Sequence, residues 1–97
     1  MAATIHVIAR YVAKAGKEEQ LQAALLAAVA PTRRELGCYQ YDLRVNRTDP
    51  GDLCLVERWD DEQALDEHGH TPHIRALRSA ITDLVEAPPD VRRYALA

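Results

Sequence analysis

Residues 53–74 read LCLVERWDDEQALDEHGHTPHI, and their pattern changes period halfway along. Leu53, Leu55, Glu57 and Trp59 fall two apart, the spacing of one face of a β-strand. After Asp60-Asp61 the period lengthens to that of a helix, interrupted at Gly69 and Pro72. A strand therefore feeds a broken helix, and the break gathers His68, His70 and His73 beyond a strand end bearing Glu57 and Trp59. No other stretch brings together so many groups able to move protons near neutral pH.

Upstream, residues 4–13 alternate Ile5, Val7, Ala9 and Tyr11 against His6, Ile8, Arg10 and Val12. Both sets are apolar enough for a strand covered at least in part on both faces. Lys17-Glu18-Glu19 opens a helix with acids in its first turn, where the helix dipole favours them. Leu21, Ala24, Leu25, Ala28 and Val29 then form one apolar stripe for packing on a sheet. Pro31 is expected to kink that helix or to start a new turn, and Gly37 to terminate it.

Residues 38–47 predict a second strand, with Tyr39, Tyr41, Leu43 and Val45 on one face and Gln40, Asp42, Arg44 and Asn46 on the other. Thr48-Asp49-Pro50-Gly51-Asp52 reads as the turn joining it to residues 53–59 in an antiparallel hairpin. Ile74, Leu77, Ile81, Leu84 and Val85 make a second amphipathic stripe. Ala87-Pro88-Pro89-Asp90 ends it before a last strand over 91–96. The order strand, helix, strand, strand, helix, strand predicts an α+β, ferredoxin-like βαββαβ fold with a four-stranded antiparallel sheet and both helices on one face.

Size and composition narrow the function classes. The 97 residues predict a single domain, 1–97, short enough for a second copy to cover what one copy leaves exposed. A net charge of −3, with 28% charged and 47% apolar residues, describes an ordinary globular chain and gives no footprint for nucleic acid. The opening MAATIHVIARYV lacks the marks of a leader, and no apolar run approaches a membrane span, so a cytoplasmic protein without a membrane partner is expected. Cys38 and Cys54, each within a predicted strand, read as small apolar residues of a reducing compartment. The uncovered sheet face predicts a homodimer joined face to face, with Gln40, Asp42, Arg44 and Asn46 among its contacts.

The pattern Glu57-x-Trp59, then Ala64, His68 and Thr71-Pro72-His73, together with Gly37-Cys38-x2-Tyr41 and the Asp49-Pro50 turn, resembles the antibiotic biosynthesis monooxygenase domain over nearly the whole chain. The resemblance implies a dimeric α+β barrel that oxygenates small aromatic quinols, anthrones or related phenols with O2 and without metal or flavin. Such substrates reduce oxygen themselves once ionised, so the protein need only bind, deprotonate and shield them. By this resemblance His68, His73 and Trp59 are the expected catalytic groups, the histidines as base or hydroxyl-orienting residue. Trp59 lines the pocket and holds the ring, and Glu57, Tyr41 and Asn46 complete the expected substrate contacts.

The haem-degrading members of the same family carry an Asn and a His where this chain has Ala9 and Arg78, so haem is not expected. Two other readings stand beside the monooxygenase. One is a dimeric ligand-binding protein without catalysis, and the other is an isomerase or signal-degrading member of the family. A metal held by His68, His70 and His73 requires a further ligand from Asp66, Glu67 or Glu57, and the spacing is not that of one helical face, so no metal is expected. The competing structural roles are Trp59 as a core or interface aromatic, Glu57 as an ion-pair partner or cap, and the histidines as caps for free backbone carbonyls at a helix break.

Overall fold

The computed structural model describes residues 4–97; residues 1–3 of the expected domain lie outside it. The chain runs β1 (Ile5–Val12), α1 (Glu18–Ala27), α2 (Val29–Arg33), β2 (Cys38–Asn46), β3 (Asp49–Trp59), α3 (Glu62–His68), α4 (Pro72–Ile81) and β4 (Asp90–Tyr94). The strands form one antiparallel sheet in the order β2-β3-β1-β4. This is the expected ferredoxin-like arrangement, with each anticipated helix divided in two.

The divisions follow the sequence. Pro31 cannot donate the backbone bond a continuous helix needs, and the helix breaks at Ala28, one turn earlier. Gly69 ends α3, and Pro72 opens α4 at a position where a helix has no use for the missing N–H. Asp61 caps α3, its carboxylate accepting from Ala64 N at 2.8 Å.

The core lies between the helices and one sheet face. Leu21 and Leu25 of α1 are completely buried, as is Leu55, with Leu53 nearly so. Each contributes roughly 1.5–3 kcal/mol by leaving water. Ile74, Leu77 and Ile81 of α4 and Val85 beyond it close the same layer. The register places Tyr41 beside Glu57 and Leu43 beside Leu55 on this covered face. It leaves His6, Ile8, Cys54, Val56 and Arg58 on the other, where Ile8 is 44% exposed.

Three local expectations need correction. Tyr39 does not share the face of Tyr41: β2 shifts register between Cys38 and Gln40, and the extra residue is thrown outward. Tyr39 is exposed, its hydroxyl donating to Asp60 at 2.9 Å and its ring lying under the Arg58 guanidinium. The hairpin turn is not Thr48–Asp52 but the two residues Arg47-Thr48, with Asn46 paired to Asp49. The Asn46 side chain accepts from Thr48 N and so closes the turn locally, while Pro50 is accommodated where the β2–β3 register shifts. The last strand is shorter than expected and exposed throughout, as an edge of the sheet tied to α3 through Arg93 with Glu62 and Asp66. Among the described residues, no helix is long and apolar enough to cross a membrane.

Candidate functional site

A cavity of about 910 Å³ opens between the covered sheet face, α3, α4 and the 85–89 segment. Its floor is Val7, Ala9 and Tyr11 of β1 with Tyr41 and Glu57; its roof is Leu65, Ile74, Leu77 and Ile81. His68 and His70 enter from the helix break, and Arg78 and Arg93 stand among the wall residues. A mostly apolar, concave space with a few polar groups converging on it is the usual form of a small-molecule site.

His68 reaches the cavity as the last residue of α3 and is buried. Its Nδ1 lies 2.8 Å from Glu35 Oε2, in the loop between α2 and β2. His73, one residue inside α4, places Nε2 2.7 Å from the same oxygen. An ionised carboxylate only accepts, so both ring nitrogens carry their protons there. That fixes the tautomer of His68 and leaves Nε2 with its lone pair and no hydrogen-bond partner among the described residues. Thr71 secures the break by donating its hydroxyl to His68 O at 2.8 Å, and Arg78 donates to Gly69 O at 2.7 Å.

Burial lowers the pKa of His68, against the opposing pull of Glu35, so the imidazole is neutral at pH 7 and able to accept a proton. Glu57 shifts the other way. Desolvation dominates and lifts its carboxyl to about 7, although the Trp59 indole N–H, donating to Oε1 at 2.9 Å, favours the ionised form. Tyr11 and Tyr41 are pushed up, Tyr11 to about 12, first by burial and then by Glu57, so both phenols stay protonated as donors. Cys38 rises to about 11 by burial, and Cys38 and Cys54 are both free thiols.

The expected site residues are thus sorted by position. Tyr41, Glu57 and His68 stand together on the cavity wall. Trp59 does not line the cavity: it is completely buried, its indole 4.5 Å from the His68 ring and 6.5 Å from Tyr41 between centroids. It backs His68 and anchors Glu57 instead of offering a face to a ligand. His73 is behind His68 against Glu35, not on the wall, and Asn46 lies in the distant hairpin end, bonded to Thr48 and Asp52. His70 is exposed at the cavity rim. Glu35 was invisible to motif reading because it lies 33 residues from His68 on an unremarkable loop. Its place directly before Leu36-Gly37, whose Gly37 O accepts from Asp60 N at 2.8 Å, is the one signal that ties it to this end of the sheet.

The chain forms a two-layer α+β domain with a histidine-bearing cavity between sheet and helices, and similarity narrows its class. The family model for antibiotic biosynthesis monooxygenase matches residues 4–80, and the chain belongs to that family. It is 39% identical over 88 residues to Rv0793 of Mycobacterium tuberculosis, covering 91% of this chain and 86% of the relative. The solved structure of Rv0793 superimposes with a TM-score of 0.91 over 98% of this chain and 96% of that one. PA3566 of Pseudomonas aeruginosa, 32% identical, superimposes with a TM-score of 0.94 over 100% and 97%. A crystal structure described as an antibiotic biosynthesis monooxygenase, 30% identical, does so at 0.90 over 96% and 98%.

Proposed function

We propose that this chain oxygenates a flat, electron-rich phenolic substrate of the quinol or anthrone type with O2, using no resident cofactor, and that His68 is the base. The reading is carried by one observation: a buried imidazole, tautomerically fixed by Glu35 and keeping a free Nε2, on the wall of a cavity large enough for a polycyclic ring. Membership in a monooxygenase family supports the reaction type.

For an anthrone, His68 Nε2 takes a proton from the ring CH2 and the carbanion keeps the C–H electron pair. One electron passes to O2, and recombination of the radical pair forms the new C–O bond of a peroxide. Loss of the second C–H proton and cleavage of the O–O bond leave one oxygen as the ketone and the other as water. The substrate supplies all four electrons, so no external reductant is needed. Tyr11 and Tyr41, held protonated on the cavity floor, would donate to the anionic oxygen of the substrate. The apolar roof limits water around the radical pair.

The functional unit in this reading is a homodimer joined through the open sheet face. The test is oxygen uptake by chelator-treated protein over a panel of hydroquinones and anthrones, against heat-killed protein. Uptake above the control on at least one substrate is expected. A uniform absence of uptake, with ligands still bound, would establish the non-catalytic binding protein instead.

A further inference from the structure

We propose that Glu35, His68 and His73 also form a binding site for one divalent transition-metal ion of the zinc type. The three residues come from the α2–β2 loop, α3 and α4, and their ligand atoms all lie within 4.8 Å of one another. Their side chains are 13%, 10% and 22% exposed, so the cluster is largely withdrawn from water yet open to entry. Two imidazole nitrogens and one carboxylate oxygen are the donor set of an open three-ligand zinc site, with the fourth position left to water or a ligand.

The donor atoms already converge on one point. Glu35 Oε2 sits 2.8 Å from His68 Nδ1 and 2.7 Å from His73 Nε2, with a proton on each nitrogen holding the trio together. Metal bonds of about 2.0–2.1 Å in a tetrahedron place ligand atoms roughly 3.3 Å apart, so the Glu35 oxygen swings out from between the two rings while the ring nitrogens close on the ion. The ion takes the place between the two rings that the Glu35 oxygen holds in the metal-free cluster. Each imidazole then binds through the nitrogen it had protonated and moves its proton to the other ring nitrogen. The rigid break between the histidines supports this arrangement: the Thr71 hydroxyl and the Arg78 guanidinium fix the backbone carbonyls of His68 and Gly69.

Occupancy alters His68. Its Nε2, an acceptor in the metal-free protein, becomes a donor, so a bound ion and proton abstraction by this ring exclude one another. That consequence rests on the proposed function, but binding itself does not.

The experiment is therefore a binding one, on tag-free, chelator-treated protein titrated with Zn2+ by calorimetry and with Co2+ by visible absorption. One ion per chain is expected, with a Kd of 10 µM or below and the Co2+ bands of a four- or five-coordinate site. Glu35→Gln and His73→Ala are each expected to weaken binding at least tenfold, and His70→Ala to leave it within twofold. Nitrogen-15 spectra of the histidines supply a readout in the unmodified protein. Zn2+ is expected to move His68 Nδ1 and His73 Nε2 and to leave His70 unmoved. Absence of saturable binding, unaltered binding in both Glu35→Gln and His73→Ala, or a zinc response confined to His70 or His6 would overturn the assignment.

Discussion

At the scale of single residues, Glu57 makes the sharpest claim on measurement. Burial raises its carboxyl from the usual 4.5 to about 7, so between those values the folded state holds a proton that the unfolded chain has released. Stability contributed by the protonated form is full below pH 4.5 and is lost as pH rises through about 7. The change is worth about 3 kcal/mol at 1.36 kcal/mol per pH unit. Glu57→Gln, which keeps an acceptor for the Trp59 indole, is expected to match the native protein near pH 4.5 and to exceed it in Tm at pH 8. Equal melting temperatures for the two proteins at pH 8 would show that Glu57 is not desolvated.

His68 gives a kinetic counterpart. His68→Ala is expected to lower turnover about 10²–10⁴-fold, the scale of positioned proton transfer. Glu35→Gln should lower kcat by less and leave KM near its native value, because the orienting carboxylate is lost and the base is not. The acid limb of the native rate profile should lie below the ordinary imidazole value of about 6.5, in line with the lowered pKa of His68.

Between elements, the tightest junction is Gly37, where the chain leaves the α2 region for β2. Its φ is +86°, and a Cβ there would come within 2.7 Å of the Ala64 Cβ on α3. The left-handed conformation alone costs a non-glycine residue about 1–2 kcal/mol, and the collision with α3 adds to it. Gly37→Ala is therefore expected to lower the urea midpoint and to disturb the end of the sheet that carries Trp59 and the loop that carries Glu35. An unchanged midpoint would mean that α3 packs more loosely against this turn. Elements are also where sequence reading succeeded and failed for definite reasons. The face shared by Leu53, Leu55, Glu57 and Trp59 was legible because strand parity is strict, and the helix break at Gly69 to Pro72 because proline and glycine act locally. The bulge at Tyr39 and the short turn at Arg47-Thr48 were not, since each depends on how two strands settle against one another. The contact of Glu35 with two distant histidines, and the full burial of Trp59, are products of tertiary packing that no local pattern encodes.

For the whole molecule, the sheet's second face is the surface on which the proposed function places a second copy. His6, Ile8, Cys54, Val56 and Arg58 lie there, flanked by the exposed rings of Tyr39 and Tyr94. A second copy laid on this face would bury an area near the standard interface of roughly 1,600 Å². Light scattering at micromolar concentration is expected to give twice the chain mass, and Ile8→Asp to shift it toward the single-chain mass by placing a charge among the apolar residues of this face. A native monomer would remove the homodimer from the account while leaving the cavity, which one chain forms alone, in place.

The central claim, that the cavity inserts oxygen from O2 into a substrate ionised by His68, is tested most directly with ¹⁸O2. Chelator-treated protein turning over an anthrone under ¹⁸O2 is predicted to give a ketone carrying one ¹⁸O atom, with its rate of formation reduced at least a hundredfold in His68→Ala. A product whose new oxygen comes from water, or labelling that proceeds at the native rate in His68→Ala, would contradict it.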